Sequence, residues 1–414
     1  MSNWGSSRAI FWGIVVLELA TVLAACGGGD DPAAPTETST PPIEVSLFEE
    51  LLGAIPDTPN TRKSVMINDY AAVRELLGIP PTGQDAELPA LLEFYLENLG
   101  PDYPGIRTYL ALGPFISGMG ERWWENSKRE YLAFDGRNVD QTVESGMIPA
   151  ILEVAWGRFD PAATEQALAS CAECPPPELE RYNDVPFYSW GPDLAGNIRA
   201  RNTPPAFDHL GRGGRIAVSS EYVYRTLETP GMMGLIDSRN GDGRTLADVA
   251  EFRLLVQAMS AMGVYTAWFG NQTYRISETP DDTDVFAYLA KIEESQVEVF
   301  EKLKEELGKS TLLLPYLAFS TGAGIDDAGP YMALALVHSD AESAEENERR
   351  LRDRISESSR YPELATWNDT LEATTFRVEG RVLSAKMRGE GPASRWRSLA
   401  FVPSLPPPPL IPHE

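Results

Sequence analysis

The sequence predicts a mixed α+β body, and three observations carry that prediction. Some segments show a 3.6-residue apolar period with cap residues at their ends, and short runs rich in Val, Ile, Tyr and Phe lie between turn residues. One order of elements also occurs twice. Apolar residues make up 43% of the chain, enough to build a core.

Taken in order, Ile151 to Phe159 reads as a strand. It runs into Asp160 and Pro161, an N-cap and a first helical residue, and a helix through Ala162 to about Ser170 follows. Val185 to Trp190 and Arg215 to Tyr224 are the next strands. Thr245 to Met262 sets Leu246, Val249, Val256 and Met259 on one helical face; Thr245 and Asp248 have capping-box spacing, and Gly263 stops the helix. Asp281 to Leu307 is a second helix of this kind, acidic at its start, with Lys302 and Lys304 near its end and Gly308 after it. Tyr331 to His338 is a strand that passes through Ser339 and Asp340 into a helix ending near Ser356. Glu342, Glu345 and Glu346 come early in that helix and Arg349, Arg350, Arg352 and Arg354 late, the charge order that the helix dipole favours. Thr374 to Glu379 and Val382 to Met387 complete the strands.

The strands at Ile151 and Tyr331 each lead into a helix and then two strands. Two diverged β-α-β-β units are therefore expected, with mixed or antiparallel sheets and helices packed on one face. The expected divisions are a signal peptide over 1–25, a tether over 26–43, α/β domains over 44–276 and 277–402, and a Pro-rich tail over 403–414.

Arg8 precedes the apolar run Ala9 to Ala25, which is shorter than the roughly 20 residues of a spanning helix. It ends in Leu23, Ala24, Ala25 and Cys26, a pattern that resembles the lipobox of bacterial lipoproteins. The resemblance implies cleavage before Cys26, acylation of that cysteine by more than one chain, and a protein held on the extracytoplasmic side of a membrane. Gly27 to Pro42, rich in Gly, Pro, Ser and Thr, suits a flexible tether. Glu18 is the exception, a carboxylate inside the apolar run. In its Gly322-Ala323-Gly324 loop, Tyr331 strand and Ser339-Asp340 helix entry, the body also resembles bacterial lipoproteins without assigned activity, which brings no function with it.

Net charge is −26, from 61 acidic and 35 basic residues. That balance opposes nucleic-acid binding, because phosphate must be neutralised by Lys and Arg. No cofactor motif is evident; the expected partners are the membrane and an unknown protein or small molecule.

Four groups of residues could carry chemistry. Cys171 and Cys174 sit at a helix C-terminus, where the dipole disfavours a thiolate, so a local structural disulfide is expected there. Ala318-Phe319-Ser320-Thr321-Gly322 resembles the nucleophile elbow of the α/β-hydrolases, with Asp326, Asp327 and His338 as partners that follow unusually soon. Asp237, Asn240, Asp242 and Asp248 could converge on calcium, although no register satisfies an EF-type loop and a turn explains the same residues. Arg199, Arg201, Arg212 and Arg215 form a basic island, with His209 and three glycines, that could hold an anion. Trp123 and Trp124 are adjacent, so on a helix at most one need be core. The sum favours a non-catalytic binding or interaction protein at the cell surface, over a membrane-anchored hydrolase using Ser320 and over a two-lobed solute-binding protein.

Overall fold

Alternation along one strand sets out the architecture. In the run Gly329–Val337, the side chains of Tyr331, Ala333, Ala335 and Val337 join one apolar cluster, and those of Met332, Leu334 and Leu336 join another. A strand apolar in both directions must be covered on both faces, and this one is. The computed structural model describes residues 46–76, 131–134, 138–147, 149–172, 174–200, 210–271, 311–357, 371–389, 411 and 413–414.

Among the described residues, twelve strands form one antiparallel sheet. They are β1 (Val65–Asp69), β2 (Val139–Ser145), β3 (Leu152–Gly157), β4 (Glu178–Tyr182), β5 (Val185–Ser189) and β6 (Arg215–Val218), then β7 (Tyr222–Thr226), β8 (Thr266–Gly270), β9 (Ala318–Asp326), β10 (Gly329–Val337), β11 (Leu371–Glu379) and β12 (Val382–Gly389). The order across the sheet is β11-β12-β10-β9-β8-β1-β2-β3-β7-β6-β5-β4. Read outward from the β1–β8 seam, β1-β2-β3 is followed by β7-β6, and β8-β9-β10 by β12-β11. The two halves are thus topological counterparts on either side of the seam. The matching changes one expectation: the hairpin equivalent to β11–β12 is β6–β7, and β4–β5 is an addition at the edge.

Helices lie on both faces, which corrects the expected one-sided packing. Among the described residues they are α1 (Leu47–Leu52), α2 (Tyr70–Leu76), α3 (Pro161–Ser170), α4 (Thr229–Asn240), α5 (Ala250–Met262) and α6 (Ala341–Glu357). On face A, α1, α4 and α5 bury Phe48, Leu51, Met232, Leu235, Phe252, Leu255, Val256 and Met259 against strands of both halves in a single cluster. At about 2 kcal/mol for each fully buried large apolar side chain, these residues dominate the packing of that face. On face B the apolar side chains divide. Leu351 and Ile355 of α6 pack with β9, β10 and β12, whereas Tyr70 of α2 and Leu168 of α3 pack with β2, β3, β6 and β7.

Several local expectations hold and others shift. Asp160 caps α3 through Ala162 and Ala163 as its sequence indicates. The Thr245–Asp248 capping box forms, but it closes a 3-10 turn over Leu246–Asp248, and α5 starts at Ala250. Arg215 to Tyr224 is a hairpin, because Ser219 Oγ accepts from the backbone of Glu221 and Tyr222 and turns the chain. Gly322 to Gly324 is strand rather than loop: a Cβ at Gly322 would stand 2.7 Å from the Thr266 carbonyl, and one at Gly324 would overlap the Tyr331 hydroxyl. These glycines permit close approach.

The division at residue 277 does not split the sheet, since β8 pairs with β9 from Thr266↔Ala323 to Gly270↔Phe319. The tail is also partly structured. Leu313 and His413 form a parallel bridge, Ile411 and His413 are buried, and the Tyr316 hydroxyl donates to the Ile411 carbonyl at 3.0 Å. The Asp281 to Leu307 helix, Trp123, Trp124, Arg201, His209 and residues 1–45 lie outside the described residues.

Candidate functional site

Ser320 and His338 do not form a catalytic pair. Ser320 lies inside β9 opposite Ala335, so its fully buried hydroxyl faces the A side. His338 follows Val337 by one residue and meets Asn347 of α6 on the B side. Sheet alternation therefore puts the two on opposite faces, and no strand-to-helix turn exposes the serine.

His338 has a different task. Asn347 donates to its Nε2 at 2.8 Å, which assigns the ring proton to Nδ1, 3.3 Å from the Arg381 carbonyl. Burial pushes the imidazole below its usual range, against the opposing pull of that carbonyl. The same Asn347 brackets Leu314, accepting from its N–H at 2.6 Å and donating to its carbonyl at 2.9 Å. The network fastens segment 311–317 to α6.

The calcium quartet is dispersed. Asp237 on α4 accepts from Tyr182 at 3.1 Å and Asn183 at 3.0 Å, holding the β4–β5 hairpin. Asn240 is the last residue of α4, and Gly241, with φ 78°, ends the helix in the left-handed region. Asp248 serves the capping box. No group of three or more His, Cys, Asp or Glu able to hold a metal occurs among the described residues.

Of the basic island, Arg215 is taken up by structure. Arg215 is buried; it pairs with Asp193 at 2.7 Å and donates to Thr229 Oγ1 and to the carbonyls of Gly213 and Gly191. It fastens the start of α4 to the loop after β5 and leaves no fork for an anion. Arg212 is buried as well, and Arg199 is exposed on a 3-10 turn. Cys171 and Cys174 are joined in a disulfide at the end of α3. The segment after it is held by the Trp190 indole, which donates to the Pro175 carbonyl at 2.9 Å.

Two other features have the character of sites. On face A, α5 and the outer hairpin β11–β12 enclose a groove of about 640 Å³. Leu254, Ala258 and Met262 make one wall, at helical spacing; Arg377, Ser384 and Lys386 lie on the sheet side. Lys386 is 2.9 Å from Asp326, a carboxylate it shares with Arg388, and sits over the Tyr331 ring at 3.7 Å. Arg377 pairs with Glu379.

On face B, the strip between the two apolar clusters is polar. Asn68 donates to Thr142 at 3.1 Å and accepts from Thr266 at 2.8 Å, which joins β2, β1 and β8 in one buried chain. Beside it, register places Glu144 opposite Glu153, and Glu153 opposite Arg225. Arg225 reaches both oxygens of Glu153, at 2.8 and 2.9 Å. Burial first, and the charge of Glu153 second, raise Glu144 to about 7 against a smaller opposing pull from Arg225. Sequence reading missed this row because three separate strands contribute one residue each, and only register brings them together.

No family model matches the chain, and no curated protein matches it. Among solved structures it is similar to crystal form I of TP0453, a Treponema protein, with 9% identity, a TM-score of 0.38, and coverage of 84% of this chain and 95% of that one. Crystal form III of the same protein gives 10% identity, a TM-score of 0.35, and coverage of 84% and 96%.

Proposed function

We propose that this chain is an extracytoplasmic lipoprotein, anchored through acylated Cys26, whose body binds a protein or small-molecule partner near the membrane surface. The observation that carries the reading is the succession of Arg8, an apolar run, Leu23-Ala24-Ala25-Cys26 and a Gly/Pro/Thr tether. The face A groove supports the binding half of the proposal. Its volume falls in the range of small-ligand pockets, and its apolar helix wall opposes a polar sheet wall. Among the described residues no helix is long and apolar enough to cross a membrane, so in this reading attachment belongs to the N-terminus.

Mass spectrometry of the protein purified from native membranes tests the anchor: the mature chain is expected to begin at acylated Cys26. An intact leader in the membrane fraction would refute it. The same preparation, crosslinked and then identified, tests for the partner; Ala258→Trp, which fills the groove, is expected to reduce the captured species at least tenfold. Unchanged capture would remove the groove from the proposal.

A further inference from the structure

We propose that Glu144 is a proton-controlled switch on face B of β2, beside the polar strip at the β1–β8 seam. Protonated, it stands neutral beside the Glu153–Arg225 pair; ionised, it adds a second negative charge opposite Glu153 on the β2–β3 ladder.

The geometry begins with register. Directly opposed side chains on antiparallel strands lie close enough to interact strongly, and like charges there are destabilising. Glu144 and Glu153 are such a pair. Among the described residues one guanidinium stands in the row, and its Nη1 donates to both oxygens of Glu153. On its other side Glu144 meets Met66 of β1, followed by Trp268 of β8 in the same row, and neither balances a charge. Along β2 the next residue on that face is Thr142, already bonded to Asn68.

Other described elements packed on β2 bring further charged groups. The 3-10 turn Thr61–Lys63 carries Arg62, which is paired with Asp57, and Lys63. α2 carries Tyr70 and Glu75, and α1 packs on the opposite face. The strip also divides two apolar clusters, so a charge beside it lies where the face B packing of one half gives way to that of the other.

The direction of the effect follows from linkage. A carboxyl raised in the folded state contributes stability that is complete below its unfolded value, and this is lost as pH rises through its folded value. For Glu144 the window runs from 4.5 to about 7.

Thermal unfolding of the full-length chain, measured from pH 4.5 to 8 for the parent and for Glu144→Gln, tests the proposal. The expected result is that Glu144→Gln is the more stable protein at pH 8 and that its advantage over the parent disappears toward pH 4.5. Parallel profiles would overturn it. Glu153→Gln provides the second arm: with its competitor gone, Arg225 faces Glu144 alone, and the parent's alkaline loss is expected to move to lower pH. An unmoved loss would overturn the proposal even if Glu144→Gln failed to fold.

Discussion

Asn347 ties segment 311–317 and His338 to α6 through three hydrogen bonds. It is fully buried on α6 and satisfies both backbone groups of Leu314 as well as His338 Nε2. Truncation to Ala would leave those groups buried without partners and open a small cavity, so Asn347→Ala is expected to cost about 3 kcal/mol in urea unfolding. His338 follows from the same geometry. A second ring proton would point at the Asn347 amide, whose oxygen is occupied by Leu314. A histidine with a lowered value contributes stability that is present above 6.5 and lost as pH falls below it. The parent is therefore expected to lose stability relative to His338→Gln on acidification below 6.5, and equal profiles would contradict the assignment.

Among the elements, the helix termini were legible because their signals are local. Asp160 before Pro161, and the reciprocal Thr245–Asp248 pair, appear where the sequence places them. Replacing both Thr245 and Asp248 with Ala is expected to cost about 1 kcal/mol by denaturant midpoint. The Cys171–Cys174 bridge closes a very short loop, so the Cys171→Ser, Cys174→Ser double variant should lose no more than about 2 kcal/mol. A larger loss would show that the bridge restrains more than the end of α3. The misreadings at this scale share one cause: Gly322 and Gly324 resemble loop punctuation, yet the space they leave is taken by the Thr266 carbonyl and the Tyr331 ring. Thr266, on a different strand and far from Gly322 along the chain, cannot be seen from that glycine's neighbours in sequence.

For the whole molecule, the consequence of β8 pairing with β9 is that the chain cannot be divided at residue 277. The face A cluster joins α1, α4 and α5 with strands of both halves, so neither half closes its own core. Segments 44–276 and 277–402 expressed separately are expected to lack cooperative unfolding by circular dichroism. Two independent cooperative transitions would restore the two-domain reading.

What the sequence determined by itself was the inventory: an α+β body, its caps, most of its strands, and the recurring strand-helix order, all written in short-range period and capping chemistry. Tertiary structure alone decided strand order, the equivalence of β6–β7 with β11–β12, and the face on which each polar residue lies. The reason is that antiparallel register joins residues by position across the sheet rather than by separation along the chain. Register puts Ser320 and His338, close in sequence, on opposite faces, and it sets Glu144, Glu153 and Arg225 in one row.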